Sequence, residues 1–421
     1  AIKELNFNGI DKNKIKCLLK IIFKRNDIKH NEFFSIFNYV FKDIVFSNSI
    51  LKTEYLEKEN SLKIILDEDL IIYALKIMIF TDTDWEILIR NIRKKYCELI
   101  ANKTRDITIK EKELIVAISE QCFMNEYIYP ISEEEQISIN TILKRNKEKI
   151  DNSVDIILLT CYESLYKLIN KNKDLKKITS YDKSISSIAT LQYKEILKEK
   201  ELSKSIKMIG NISDETSIII KNQYEKNPYP RWRFGNSNKD IGLSSINIIN
   251  EEIRPNIQSG KLGNETIQIL IAGCGTGNQI LESLRFNNCK IKAIDLSNSS
   301  LSYAKRKLIE LDINNVELIQ MDILDIPLLE TKFDIIECGG VLHHMTNPLQ
   351  GLQTLTNSLK KGGFMRLGLY SELARKEIVK IRKIIMQENF NYSEEKIRDF
   401  REKILSKKIL IQNNLFKSPD F

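Results

Sequence analysis

The chain has 421 residues, of which 42% are hydrophobic and 29% are charged. This balance excludes an intrinsically disordered chain, and the length indicates two or three domains, because single hydrophobic cores stop growing at roughly 250–300 residues. The most apolar run, residues 70–80, is interrupted by Lys76 and is well short of the roughly 20 residues that a membrane-spanning helix needs.

The formal net charge is +8, with 65 basic and 57 acidic residues interspersed along the chain. A basic excess is one mark of nucleic-acid binding, but Ile, Lys and Asn abound everywhere, as an AT-rich coding sequence would produce. We therefore expect no nucleic-acid partner. Seven cysteines stand singly, and with three histidines they show neither a disulfide framework nor zinc spacing. We therefore expect the protein to reside in a reducing cytoplasm and to have no metal site.

Residues 1–210 are predicted to be helical and to serve as a platform for substrate or for assembly into a homodimer. After Thr83, apolar residues from Trp85 to Ile100 recur at three- and four-residue steps, the pattern of a helix with one buried face. The charged stretch Lys198–Lys207 is interpreted as a solvated helix face. Further apolar stripes, which favour a helical bundle, occur at 62–80, 112–124 and 154–169.

A linker, residues 211–240, contains a short segment rich in proline and aromatic residues, 223–234. Pro228 and Pro230 disfavour a helix, so an extended backbone is expected to present the aromatic side chains as a wall. In one interpretation Arg231 pairs with a ligand carboxylate, and three aromatic side chains line the mouth of a ligand site: Tyr224, Tyr229 and Trp232. In the other, the segment is a rigid clamp that fixes the helical region onto the next domain.

The strongest signal for chemistry is an apolar strand, residues 266–272, that runs into the glycine turn Gly273-Cys-Gly-Thr-Gly277. A second strand, 291–294, ends at Asp295. This arrangement is typical of a nucleotide site in a doubly wound sheet, where the carboxylate reaches ribose hydroxyls. A dinucleotide site requires a further glycine where Asn278 stands, so the spacing argues against NAD.

Further markers follow in a fixed order. They are Asp322 after the strand 316–320, the strand 333–338, the sequence VLHHM at 341–345, and the strand 364–370 after the turn 361–363. Together with GCGTG and Asp295, this series resembles the class I S-adenosylmethionine-dependent methyltransferases. The resemblance implies an α/β fold with a Rossmann-like sheet over residues 241–372, and S-adenosylmethionine as the cofactor.

Carried over residue by residue, the resemblance places the glycine turn at the methionine and ribose end of the cofactor. Asp295 would bind both ribose hydroxyls, and Asp322 and Ile323 would meet the adenine. Asp322 also suits a helix or turn cap, and Leu296 is either an adenine contact or plain core. The full cofactor-binding set is Gly273, Cys274, Gly275, Thr276, Gly277, Asp295, Leu296, Asp322, Ile323, Glu337, Cys338 and Arg231.

The candidate catalytic residues are Tyr224, Trp232, His343 and Tyr370. His343 and His344 follow the fourth strand on the catalytic side of the sheet, where a histidine is able to accept a proton near neutral pH. A capping or packing role before the helix near Asn347-Pro348 fits the same position. Tyr370, at the end of the fifth strand, is a further candidate for the pocket wall.

The segment 223–232, VLHHM and the run 368–375 are also similar to a narrower bacterial group. This group includes rickettsial protein-lysine methyltransferases that modify outer-membrane surface proteins, and the likeness continues faintly at 121–127. It implies lysine side chains of surface proteins as the acceptors. The alternatives are a small acceptor, such as a quinone or lipid precursor, and a nucleotide-binding assembly module without catalysis.

Residues 373–421 are predicted to form a helical extension. A class I sheet normally closes with an antiparallel hairpin after the fifth strand, yet only a helical pattern follows Tyr370. We therefore expect this extension to be incomplete.

Overall fold

A computed structural model describes residues 9–46, 62–148, 152–177, 182–235, 245–254, 266–387 and 393–406. The chain divides into two compact units. One unit combines residues 1–196 with 375–421, and the other comprises residues 197–374. The sequence pattern places the domain bounds at 210, 240 and 372, and these bounds stay predictions.

The first unit contains helices and no strand in its described ranges. The helices before residue 190 are α1 (Lys12–Phe23), α2 (Phe34–Phe46), α3 (Lys63–Asp67), α4 (Asp69–Ile77), α5 (Thr83–Asn102), α6 (Ile109–Met124), α7 (Glu133–Glu148), α8 (Ser153–Leu159), α9 (Leu165–Lys171) and α10 (Ser186–Ala189). Short 3₁₀ helices lie at His30–Phe33 and Lys183–Ile185, and a π-helix at Thr190–Lys194.

The remaining helices follow residue 194 in the chain, between the strands or after the last of them. They are α11 (Glu195–Ser203), α12 (Glu215–Lys226), α13 (Ser245–Glu252), α14 (Asn278–Ser283), α15 (Asn298–Glu310), α16 (Pro348–Ser358), α17 (Lys376–Gln387) and α18 (Glu394–Leu405). Short 3₁₀ helices at Ile323–Leu329 and Leu342–His344 follow β-strands. No described helix combines the length and the apolar character that crossing a bilayer requires.

Helix α6 lies at the centre of the first unit, because every residue from Leu114 to Met124 is buried. Burial on all sides requires that its polar side chains find partners inside the protein. The Gln121 amide donates to the carbonyls of Leu75 and Met78, and its oxygen accepts the Phe80 N–H. Helix α6 therefore carries polar side chains through the core without leaving the Gln121 amide unpaired.

The apolar stripes predicted at 83–100 and 112–124 each form one helix in the structure, α5 and α6, whereas the stripe at 62–80 forms two helices, α3 and α4. Helix α5 has Asp82 as its N-cap, with the carboxylate accepting the Asp84 N–H at 3.0 Å, one residue before the predicted start. The stripe at 154–169 forms two helices, α8 and α9, because the chain turns between them. An apolar stripe alone does not reveal such a break.

Helix α18 packs against the N-terminal helices of its own unit. The Arg401 guanidinium donates to both carboxylate oxygens of Glu86, each at 2.6 Å, and Glu86 is only 4% exposed. Arg398 donates to the Tyr127 carbonyl at 3.0 Å, and Arg90 pairs with Glu402 at 2.7 Å. The predicted C-terminal extension is thus part of the helical unit.

The second unit forms, within its described residues, a six-stranded sheet. Its strands are β1 (Lys207–Met208), β2 (Ile267–Ala272), β3 (Cys289–Asp295), β4 (Val316–Gln320), β5 (Phe333–Gly339) and β6 (Leu359–Gly368). The order across the sheet is β1-β4-β3-β2-β5-β6, and neighbouring strands are parallel. The predicted α/β class with a Rossmann-like sheet is confirmed.

The central strands are buried on both faces, which explains why they are apolar almost throughout. Ile269, Ile271 and Ile291 pack into one core, while Leu270 and Ile294 pack into the core on the opposite face. The chain proceeds from β2 outward to β3 and β4, then returns to place β5 on the other side of β2. Such a switch point leaves a crevice at the carboxyl ends of the strands, where ligands bind in open α/β sheets.

Two local predictions differ from the structure. The stretch Lys198–Lys207 is not one solvated helix face, because α11 ends at Ser203 and Lys207 begins the edge strand β1, which pairs with β4. Within α11, Glu199 forms an ion pair with Arg306 at 2.9 Å. Strand β6 begins at Leu359 and ends at Gly368, so Tyr370 lies just beyond the strand instead of at its last residue.

We expect Arg401→Ala to lower the free energy of unfolding by about 3 kcal/mol, because removing one partner leaves the buried Glu86 carboxylate without its fork of hydrogen bonds. Urea denaturation followed by far-ultraviolet circular dichroism measures this change. Lys380→Ala is the matched control. Lys380 pairs with Glu377 within α17 and is 62% exposed, so its loss should cost less than about 0.5 kcal/mol. Equal effects of the two variants would contradict the role given to Arg401.

Candidate active site

A cavity of about 340 Å³ lies where the parallel strands end. Its walls come from the loops that follow β2, β3, β4 and β5, together with one face of α12. All of these elements belong to the second unit. This is the crevice that the strand order predicts for a ligand.

Most residues of the predicted site line this cavity. They are Tyr224, Gly273, Cys274, Gly275, Thr276, Asp295, Leu296, Asp322, Ile323 and Tyr370. The other predicted residues are absent from its described lining. They are Arg231, Trp232, Gly277, Glu337, Cys338 and His343. Their binding and catalytic roles stay predictions. Their positions indicate which of them contact a residue that lines the cavity.

The glycine turn brings the backbone close to its neighbours. Gly273 has a φ of +77°, and a Cβ atom there would lie 2.2 Å from a methyl carbon of Val341. Both the left-handed conformation and the close approach therefore require glycine at this position. The backbone N–H groups of Gly273 and Cys274 donate to the Ile294 carbonyl, which ties the turn to the end of β3.

Asp295 is fixed by the same turn. The Gly275 N–H donates to its Oδ2 at 2.8 Å, and the Ser297 N–H donates to its Oδ1 at 2.9 Å. Desolvation by burial raises the pKa of Asp295 above its usual value, the two amides oppose part of that rise, and the nearby Glu225 adds to it. A carboxylate held at such a cost at the end of a strand is a mark of a functional site.

Asp322 and Leu296 complete the wall on the β3 and β4 side. Asp322 caps the 3₁₀ helix Ile323–Leu329 by accepting the Leu324 N–H at 3.0 Å, and it also lines the cavity. The two interpretations of Asp322 are therefore compatible. The Leu296 carbonyl accepts a hydrogen bond from the Gln320 amide at 2.9 Å, which holds Leu296 at the cavity.

Helix α12 forms a side wall with Ser217, Ile220 and Tyr224, which lie on one face of the helix. The helix extends to Lys226, so the predicted extended segment begins only at Asn227. The restriction that proline imposes acts on the residue just before it, and residues further upstream remain free to be helical. Tyr224 therefore reaches the cavity from a helix.

Glu225 fastens this wall helix to α15, a contact that no local sequence pattern indicates. Its carboxylate accepts the backbone N–H groups of Asn298 and Ser299 at 2.7 and 3.0 Å and the Ser299 hydroxyl at 2.5 Å. These N–H groups belong to the first turn of α15, where a carboxylate is favoured by the helix dipole. At the other end of α12, Thr346 donates to Thr216 at 2.7 Å.

Trp232 fastens the aromatic segment to the glycine turn and is absent from the described lining of the cavity. Its indole N–H donates to the Thr276 carbonyl at 3.1 Å, while the Thr276 hydroxyl donates to the Pro230 carbonyl at 2.7 Å. Trp232 is only 8% exposed and its carbonyl accepts the Tyr303 hydroxyl at 2.6 Å. Arg231 lies over the Tyr303 ring at 5.9 Å. These contacts fasten the segment to the glycine turn and to α15 within the second unit, and the clamp between the helical region and the sheet stays a prediction. Tyr229 lines the cavity.

Glu337 and Cys338 were expected at the end of the strand 333–338, at the mouth where a ligand binds, but both lie within β5, which corrects their position. The Glu337 carboxylate accepts hydrogen bonds from Arg285 at 2.7 Å and Ser283 at 2.6 Å. Cys338 is 1% exposed in the core, and burial raises the pKa of its thiol to about 12. The strand continues to Gly339, so the chain meets the cavity only at Gly339–Val341.

His344, and not His343, lines the cavity. The His343 ring packs on Tyr370 in a tilted arrangement, with centroids 3.8 Å apart and 31° between the ring planes, and the His344 ring meets the same tyrosine edge-on at 5.6 Å. Both histidines belong to the 3₁₀ helix Leu342–His344, whose tight turn determines which ring faces inward. Adjacent identical residues give no sequence signal for this choice.

The charge of the cavity is its clearest chemical property. Among the described lining residues, the carboxylates are Asp295 and Asp322, and none is a lysine or arginine. Such a wall favours a cationic ligand and offers no cation for a pyrophosphate. Burial also raises the pKa of the Cys274 thiol, which disfavours the thiolate form that acts as a nucleophile. In the described ranges, no three His, Cys, Asp or Glu side chains come together as a metal site.

The raised pKa of Asp295 predicts how binding depends on pH. In its predicted role the ionised Asp295 carboxylate accepts the ribose hydroxyls, so cofactor affinity should fall on acidification, by up to about tenfold per pH unit below the pKa. The fall should begin above the usual aspartate value of 3.8. Calorimetric titration with S-adenosylmethionine across this range measures it. Asp295→Asn should bind weakly and with no such pH dependence, and the same slope in both proteins would contradict this account.

Comparison with known proteins finds similarity over the part of the chain that forms the site. Residues 264–414 match the model of a family described as a methyltransferase domain. A tRNA U34 carboxymethyltransferase of Campylobacter fetus is 33% identical over 92 residues, which cover 22% of this chain and 32% of that protein. A demethylmenaquinone methyltransferase of Oceanobacillus iheyensis is 28% identical over 110 residues, which cover 26% of this chain and 44% of that protein. The chain thus spans less than half the length of these two relatives.

Among solved structures, the chain matches PKMT2 from Rickettsia typhi in complex with AdoHcy. The two are 25% identical, and the match covers 34% of this chain and 29% of that chain, with a TM-score of 0.29.

Proposed function

We propose that this chain, whose residues 264–414 match a family described as a methyltransferase domain, is a class I methyltransferase that transfers the methyl group of S-adenosylmethionine to lysine side chains of proteins. The observation that supports the cofactor most directly is the charge of the cavity. Its described walls contain Asp295 and Asp322 and no basic side chain, which suits a ligand that carries a sulfonium and an ammonium group. Asp295 is the acceptor for the ribose hydroxyls.

When bound, S-adenosylmethionine supplies a methyl group on a positively charged sulfur. The acceptor nitrogen attacks the methyl carbon with its lone pair as the carbon–sulfur bond breaks, so alignment is the main requirement. The glycine turn and Asp295 hold the cofactor, which is one of the two reactants to be aligned. Tyr224, Tyr229 and Tyr370 also line the cavity and are the residues that would orient the acceptor.

A lysine acceptor must lose a proton before it attacks. Its reference pKa of about 10.4 makes the neutral amine cost about 4–5 kcal/mol at pH 7. Partial desolvation and a nearby cationic ligand both favour that loss. His344 lines the cavity and is the group in our proposal that accepts the proton, directly or through water. The faces of the tyrosine rings would attract the arriving ammonium group.

The choice of a protein acceptor rests on sequence resemblance together with the size of the helical unit. The segment 223–232, VLHHM at 341–345 and the run 368–375 resemble lysine methyltransferases of surface proteins, so outer-membrane proteins met in the cytoplasm before export are the proposed substrates. The helical unit is more than a small acceptor requires, and we assign it to substrate binding and homodimer formation. All seven cysteines are free thiols, which is compatible with a cytoplasmic location.

A small apolar acceptor is the second candidate. Ile220, Met321, Val341 and Met345 give part of the cavity an apolar wall, which suits a quinone ring. One matched relative is named as a demethylmenaquinone methyltransferase. An experiment that offers both acceptor classes separates the two candidates.

We expect mass spectrometry to detect methylated lysine in a recombinant surface-protein fragment incubated with this protein and S-adenosylmethionine. Asp295→Ala is the matched control, because it keeps the aromatic wall while removing the ribose acceptor, and it should abolish the modification. Parallel reactions contain a demethylated quinone and an unmodified tRNA. Methylation of the quinone or the tRNA with no mass change on any lysine would contradict the proposed acceptor while preserving the cofactor.

A further inference from the structure

Helix α12 is a sparsely buried wall of the strand-end cavity. Of its 12 residues only Ser217 is buried, whereas most residues of α15 are buried. Ile220 and Tyr224 line the cavity, and Ile219 is 68% exposed. An element with few buried apolar contacts opens at a low free-energy cost. Helix α12 is therefore a wall that is suited to move.

The C-terminal end of α12 is held firmly. The Glu225 carboxylate accepts the backbone N–H groups of Asn298 and Ser299 at 2.7 and 3.0 Å, and the Ser299 hydroxyl at 2.5 Å. These contacts are partly buried, and both amides lie in the first turn of α15, where the helix dipole favours a carboxylate. Hydrogen bonds to an ionised acceptor are roughly twice as strong as those between neutral groups. The Glu225 end is therefore the stronger attachment.

The N-terminal end of α12 is held by the side chain of Thr346. The Thr346 hydroxyl donates to the Thr216 hydroxyl at 2.7 Å, and its oxygen lies 3.2 and 3.3 Å from the two Asp214 carboxylate oxygens. One hydroxyl carries a single proton, so one donor is shared among three acceptor atoms. The contact is exposed, so water competes for the same hydrogen bonds. We call Asp214, Thr216 and Thr346 the latch.

The latch lies beside the cavity. Thr346 directly follows His344 and Met345 in the chain, and both of these residues line the cavity, as Ser217 does from the helix. Asp214 also caps α12 by accepting the Ser217 N–H at 2.9 Å. Release of Thr346 would therefore separate the helical wall from the loop that carries His344 and would leave the helix cap in place.

We propose that α12 is a lid over the strand-end cavity. The latch releases, the helix swings about Glu225, and ligands enter and leave between Thr216 and the loop after β5. The route for S-adenosylmethionine rests on the proposed function, whereas the opening of the helix does not.

The chain before α12 stays attached to the sheet during this motion. The Ile209 N–H donates to the Gln320 carbonyl at 3.1 Å, and the Asn211 N–H donates to the Asp325 carboxylate at 3.0 Å. Residues 212–214 separate these contacts from the first residue of α12. The motion is therefore confined to the helix and the residues that join it to the sheet.

Hydrogen exchange in the unliganded protein, followed by mass spectrometry of its peptides, tests the opening. The amides of α12 should exchange faster than those of α15. Thr346→Val should accelerate exchange in α12 by about fivefold, the factor that corresponds to one hydrogen bond, while the Asp214 cap remains. Thr354→Val is the matched control, because the Thr354 hydroxyl donates within α16, to the Gln350 carbonyl at 3.0 Å. This control should leave exchange in α12 unchanged.

The rates of S-adenosylhomocysteine binding and release test the route. If both steps pass the lid, Thr346→Val should raise the two rate constants by the same factor and change Kd by less than about twofold, whereas Asp295→Ala should raise the release rate alone. A Thr216→Cys, Thr346→Cys double variant should slow both steps when its disulfide forms, and a reductant should restore them. The double variant also carries Cys17→Ser, because Cys17 is an exposed thiol.

The other outcomes are equally defined. Equal exchange in α12 in the Thr346→Val and Thr354→Val proteins would overturn the lid, as would rates that the disulfide leaves unchanged. A faster release with unchanged binding in Thr346→Val would also overturn it, because Thr346 would then be an ordinary ligand contact. If α12 responded as expected but S-adenosylhomocysteine did not bind, the proposed cofactor would fail while the opening of the helix would stand.

Discussion

The hydrogen bonds from Gly275 and Ser297 to Asp295 are the constraint on which the rest of the site depends. They join the turn after β2 to the end of β3 and hold a carboxylate in a partly desolvated position. Burial raises the pKa of Asp295, so ionisation of this residue is opposed by its surroundings. The Gly275 and Ser297 N–H groups lower the pKa of Asp295 in part, because they donate hydrogen bonds to the ionised carboxylate. The turn therefore needs N–H groups that are free to donate at this position.

The aromatic segment depends on the same turn. Thr276 donates to the Pro230 carbonyl and accepts from Trp232, so the segment that carries Tyr229 is fastened directly to the cofactor loop. Glu225 fastens the helix that carries Tyr224 to the first turn of α15. Both walls of the cavity are thus attached to elements that flank Asp295. A substitution in the turn is therefore expected to shift Tyr224 and Tyr229 as well.

Local patterns predicted the sheet and the cofactor loop well. Apolar strands and a glycine turn are encoded by neighbouring residues, so β2, β4 and β5 and the position of Asp295 could be predicted from the sequence. Other features depend on distant partners. Glu225 meets Ser299, Gln279 meets Gly339 and Trp232 meets Thr276, and no local pattern records these contacts. The burial of Glu337 and Cys338 was missed because the strand extends one residue further than predicted, to Gly339.

The central claim is that the strand-end cavity holds S-adenosylmethionine with its ribose on Asp295. A crystal structure of the protein with S-adenosylhomocysteine tests it most directly. The account predicts both ribose hydroxyls within about 3 Å of the Asp295 carboxylate, the adenine beside Asp322 and Ile323, and the amino-acid end toward the glycine turn. A ligand bound elsewhere, or one bound in this cavity with its ribose away from Asp295, would contradict it.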